Sequence, residues 1–118
     1  TDFIKMAKYE GAINMRTDGT ESRQFLYADD ACECLYKLSL QYKSIPRTKD
    51  LHITSFKWST VNGIAHKIKD ISNCEVIKSN RKDATQKNAM NKPNTDILDY
   101  WKPTTQLKQG IMNLYNMY

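Results

Sequence analysis

Glycine is scarce in this 118-residue chain: it has four, Gly11, Gly19, Gly63 and Gly110, and no two lie close together. That spacing excludes a glycine-rich loop of the kind that cradles a pyrophosphate on backbone amides. Cysteine is also sparse, and its count of three is odd. Cys32 and Cys34 are too close on a helical pattern to bridge, and His52 and His66 stand at no metal-ligand spacing, so neither a disulfide framework nor a zinc site is expected. Three free thiols suit a reducing, cytoplasmic setting. No apolar run approaches the roughly 20 residues that span a bilayer, so no membrane partner is expected. The first residues, Thr1 to Met6, mix polar and apolar types and do not read as a signal peptide. A first residue that is not Met suggests a chain processed or cut from something longer.

Runs of like charge are missing too. The net charge is +5 and the pI near 9.1, yet no four basic residues stand together. Scattered cations describe a solvated surface with at most a small anionic ligand. A nucleic-acid partner would call for a basic stripe interleaved with aromatics. With 26% charged and 40% hydrophobic residues, the composition is that of one globular domain over residues 1–118, without internal repeats.

Helices and strands alternate along the chain. Asp2 opens a helix over 3–9 that Gly11 ends, and Ile13 and Met15 mark a short strand. Residues 17–20 form a turn, and 23–27 read as a strand. Asp29 or Asp30 caps a helix to about Tyr42, with Ala31, Cys34, Leu35, Leu38 and Tyr42 as its inward stripe. Leu51–Thr54 is a strand candidate. Ser59 caps an amphipathic helix with Val61, Ile64, Ala65, Ile68 and Ile71 inward, and Glu75–Lys78 is a further strand. Residues 80–91 are polar and irregular. Pro93 opens a short helix to about Asp99. Thr104 or Thr105 caps the last helix, which carries Leu107, Ile111, Leu114, Tyr115 and Tyr118 on one face. The fold class is α/β (α+β). The strands are short and far apart, without obvious hairpin partners, as if part of the sheet were missing.

Three blocks in order, Asp18-Gly19 to Arg23-Gln24-Phe25 to Asp29-Asp30-Ala31, then Asn91 to Trp101-Lys102-Pro103, then Leu107-Lys108-Gln109-Gly110-Ile111, resemble the late segment of the extended short-chain dehydrogenase/reductase family, the nucleotide-sugar epimerases and dehydratases. Asn91, Asn94 and Tyr100 depart from the family's usual Asp, Lys and Gly. The resemblance implies the C-terminal, substrate-binding part of such an enzyme, without its N-terminal Rossmann half. The parent would be an isomerase, lyase or oxidoreductase of carbohydrate metabolism using NAD or NADP, and its ligand a nucleotide-diphosphate sugar. The family's dinucleotide loop and its Tyr-x-x-x-Lys catalytic pair are both absent here. The chain alone is therefore expected to be inactive, to bind no cofactor, and either to expose an apolar patch or to self-associate where its other half is lacking. A stand-alone binding or regulatory module derived from the family is the alternative, and a small basic nucleic-acid-binding domain a more distant one.

The resemblance also implies site residues. Arg23 stands where the family contacts the nucleotide diphosphate, and a planar, permanently charged guanidinium suits paired phosphate oxygens. Arg81 stands near a second phosphate-binding arginine of the family, with Lys82 as its substitute. Phe25 and Tyr27 alternate, one toward the core and one toward the substrate pocket. Asp29 and Asp30 read as cap residues rather than an acid/base pair, Trp101 as core, and His66 as solvated; His52 is given no role.

Overall fold

The computed structural model describes residues 2–84 and 91–118; the expected irregular stretch at 80–91 falls partly outside them, as does Thr1. Helix α1 (Asp2–Lys5) continues as a π-helical turn over Met6–Glu10, and Gly11 ends it in the left-handed region, at φ 70°. Strand β1 (Ala12–Asn14) follows, then β2 (Ser22–Gln24), α2 (Ala28–Gln41) and β3 (Trp58–Thr60). Helix α3 (Val61–Ser72) leads into β4 (Glu75–Ile77), a 3-10 turn at Asp96–Asp99, and α4 (Leu107–Met117). The strands form two pairs: β1 lies parallel to β4, with Ile13 opposite Val76, and β2 antiparallel to β3, with Arg23 opposite Ser59.

Two small cores result. The first gathers Ile4, Ala7, Ile13, Met15, Ile64, Ala65, Ile68, Cys74 and Ile111 beneath the parallel pair. Helix α3 supplies Ile64, Ala65 and Ile68 at helical spacing, and each fully buried Ile contributes about 2–3 kcal/mol relative to exposure. Gly110 lets α4 approach Tyr27: a Cβ there would lie 3.1 Å from the ring. The second core is Cys34, Ile97 and Trp101, with Leu38, Leu51, Ile53 and Phe56 against it. Trp101 is core, as expected, and its indole N–H donates to Glu33 at 3.4 Å.

Several sequence expectations are corrected. Leu51–Thr54 is not a strand: Leu51 and Ile53 face the second core, but no strand among the described residues pairs with their backbone. The expected strand at 23–27 ends at Gln24, and β3 takes residues that read as a helix cap. Thr60, not Ser59, caps α3, its hydroxyl accepting the Gly63 amide at 3.0 Å. Neither Asp29 nor Asp30 caps α2, and Gln106 rather than a threonine stands at the N-cap of α4. Asp30 does something longer in range. Its buried carboxylate accepts the backbone amides and hydroxyls of Thr104 and Thr105, at 2.9–3.2 Å, and so pins the approach to α4 against the start of α2. On α2, Leu35 and Tyr42 are exposed rather than inward, and Tyr36 and Leu40 join them in an open apolar arc.

The molecule is a slab. Its Cα extents are 49 × 34 × 15 Å and its radius of gyration 16.6 Å, against about 13.5 Å for a compact chain of this length. A thickness of 15 Å is room for one helix layer on one sheet layer.

Two outcomes follow. By hydrogen exchange on a verified monomer, amides at 51–54 are expected to exchange much faster than those at 61–71, because the former lack ladder partners. Equal, strong protection would show that 51–54 is paired. Asp30→Ala is expected to cost about 2–3 kcal/mol in urea unfolding, since it strands the Thr104 and Thr105 donors. Burial works to raise the Asp30 pKa, but the bonds from Thr105 and Thr104 outweigh it and hold the carboxyl below its ordinary value of 3.8. Its folded pKa is depressed, so its contribution is complete above the unfolded value and is lost as pH falls through the folded one. Asp30→Asn should flatten the stability profile of the chain below about pH 4.

Candidate functional site

The two chains of the parallel pair stay together beyond its end. The Met15 amide donates to Ile77 at 2.8 Å, Ser79 to Thr17 at 3.2 Å and Asp18 to Arg81 at 2.7 Å. The turn at 17–20 is tight because Gly19, at φ 75°, packs where a Cβ would meet Met15 and the Asn62 backbone at 2.2 and 2.8 Å. Its carbonyl accepts the Asn62 amide at 2.9 Å, which fixes the turn on the first turn of α3. The chain then enters β2 and delivers Arg23 beside the segment that follows β4.

Arg23, Arg81 and Lys82 are thereby brought into one neighbourhood. The Arg23 guanidinium is 43% exposed; its Nη1 donates to the Ser22 carbonyl at 2.8 Å and its Nη2 to Asp83 Oδ2 at 2.5 Å. Arg81 and Lys82 are exposed. The Asp18 carboxyl is held below its ordinary value by the Thr20 amide and hydroxyl, at 3.0 and 2.8 Å, with the Lys82 and Lys78 charges adding to them. The result is a solvent-facing group of cations at one end of the sheet, fixed by backbone pairing on one side and carrying one tethered carboxylate. Chemically this can hold an anion with several oxygens. An ion pair this open contributes only about 0–1 kcal/mol to stability.

Phe25 is half-buried against the first core, beyond the end of β2. It borders two cavities. One, of about 240 Å³, is lined by Phe25, Ser55, Lys57, Ser59 and the segment 103–107. The other, of about 500 Å³, is mainly apolar and lies among α1, α3 and α4, with Phe3, Val61, Leu107 and Leu114 in its wall. Arg23 pairs with Ser59, so these two side chains share one face of the β2–β3 pair. Sequence reasoning missed Lys57, Ser59 and Asp83. No local signal marked the first two, since residues 55–57 form a bend before β3. For Asp83 only its nearness to Arg81 could have served.

The remaining candidates are structural. Tyr27 packs on Gly110, His66 is exposed with Nδ1 against the Asn62 carbonyl at 2.9 Å, and His52 Nδ1 accepts the Asn94 amide at 2.9 Å. The described residues hold no cluster of His, Cys, Asp and Glu that could ligate a metal. No helix among them is long and apolar enough to cross a membrane.

No family model matches the chain, and no curated protein matches it. Solved structures do. An epimerase from the methanogen Methanothermobacter thermautotrophicus superposes with a TM-score of 0.80 at 16% identity, over 98% of this chain and 35% of that one. The dTDP-glucose 4,6-dehydratase of Bacillus anthracis, solved with NAD, gives 0.76 at 15% identity, over 98% and 37%. The UDP-glucose 4-epimerase of Thermotoga maritima, solved with UDP-glucose, gives 0.73 at 18% identity, over 97% and 36%. The chain thus spans little more than a third of these chains. Its fold is that of one portion of these epimerase and dehydratase chains.

Proposed function

We propose that this chain is the substrate-side portion of an NAD(P)-dependent nucleotide-sugar epimerase or dehydratase, and that it is inactive alone. Its task is to hold the diphosphate of a nucleotide-diphosphate sugar. The observation that carries this reading is Arg23. It stands at the motif position and is set by backbone pairing next to the segment bearing Arg81 and Lys82. Phe25 and the cavity between it and Lys57 offer the adjoining surface for the nucleoside or sugar. The apolar arc of α2, open on the slab, suits contact with the remaining Rossmann portion or, in its place, a second copy of the chain. Three free thiols fit a reducing cytoplasm.

The residues present do not fit NAD or NADP. Where β3 runs into α3, the junction holds a single glycine, and the Gly63 amide is already taken by the Thr60 hydroxyl. A dinucleotide would need that helix start free and the backbone bare. The cofactor is therefore assigned to the parent enzyme and not to this chain.

Two measurements test the reading. In NMR titrations, UDP, TDP, GDP and ADP should bind weakly, since one wall of a cleft supplies a fraction of the contacts while ordering costs remain. Arg23→Ala should abolish most of whatever binding is seen; unchanged shifts at Arg23 beside clear shifts elsewhere would move the site. Calorimetry should give no heat with NAD or NADP, and no nucleotide sugar should be turned over. A micromolar NAD affinity would sink the assignment of this chain to the substrate side alone.

A further inference from the structure

Asp83 is not explained by the fold alone. It lies on an irregular segment whose backbone is already fixed to the 17–18 turn through Ser79 and Arg81. Its carboxylate nevertheless reaches back to the one guanidinium on β2, and is itself only 17% exposed while Arg23 is 43% exposed. A carboxylate and a phosphate compete for the same donors of an arginine, because both present paired anionic oxygens.

We infer that Asp83 is a tethered competitor that occupies the anion site of Arg23 until a phosphate-bearing ligand displaces it. This rests on the proposed role of Arg23. The consequence is quantitative. A ligand that must displace Asp83 meets a site only fractionally competent, so its apparent dissociation constant is raised by the inverse of that fraction. The factor is the same for every ligand held through Arg23 and is one for a ligand that makes no use of it. Asp83 thus lowers the occupancy of the guanidinium by every anion equally, so a weakly held monoanion drops below its working concentration while a diphosphate, held by more contacts, still binds.

The test uses the 118-residue chain at low salt, with NMR titration of inorganic pyrophosphate, UDP and uridine. Asp83→Asn keeps the side-chain shape and removes the charge. It should tighten pyrophosphate and UDP by a common factor of about two to six and leave uridine unchanged. Asp83→Glu keeps the charge and should stay near the parent chain, which separates loss of charge from damage to the loop. If Asp83→Asn leaves pyrophosphate affinity unchanged or weakens it, while Arg23→Ala still removes binding, the competitor role is overturned and Asp83 is a clasp. If Arg23→Ala leaves pyrophosphate and UDP affinity untouched, the reading of Arg23 itself fails, and this inference with it.

Discussion

The carboxylate of Asp30 ties the two halves of the slab together. It is buried at the start of α2, and its four bonds reach Thr104 and Thr105, seventy-four and seventy-five residues away. Trp101 enters the second core just before that clasp, and α4 leaves for the first core just after it. The contact of Gly110 with Tyr27, which sets the depth of α4 and closes one wall of the apolar cavity, depends on where the clasp holds the chain. A buried carboxylate without donors would be costly, so the clasp and the junction of the cores specify each other.

The helices were legible in the sequence because packing repeats at helical spacing. Ile64, Ala65 and Ile68 marked α3, and Leu107 and Ile111 marked α4, within a residue or two of their ends. The left-handed end at Gly11 was legible for a local reason too, a backbone conformation few residues accept. The strands were less so. Leu51 and Ile53 alternate with polar residues because one side of the segment is buried, and burial of one side does not imply a neighbour in a ladder. Conversely, β3 is three residues long and its Ser59 resembles a cap, so its pairing with β2 left no periodic trace.

The site divides in the same way. The motif singled out Arg23, and the position ahead of the Trp101 block singled out Arg81 and Lys82, since residue type and order survive in a string of letters. Their convergence was not legible, because it comes from backbone bonds between segments some sixty residues apart. Asp30 was read as a local cap because short-range capping is the commoner use of an aspartate before a helix. Its actual partners are invisible to any local rule. Leu35 and Tyr42 were assigned inward by periodicity, which reports that an apolar face exists but not that this chain itself covers it.

The parallel pairing of β1 with β4 bears on the order in which the molecule assembles. Antiparallel neighbours can zip from a turn, whereas Ile13 must wait for Val76, with both α2 and α3 between them. The loop closed by that contact is long, and its entropy must be met before the contact gives anything back. Helix α3, whose bonds are local, can form early and present Ile64 and Ile68 as a surface on which the strands align. The turn at Gly19 and the segment through Arg81 extend from the parallel pair, so they are set only once it exists. The segment bearing Arg81 and Lys82 is thus placed beside the Asp18 turn only while that pair is formed, so whatever opens the pair also separates them.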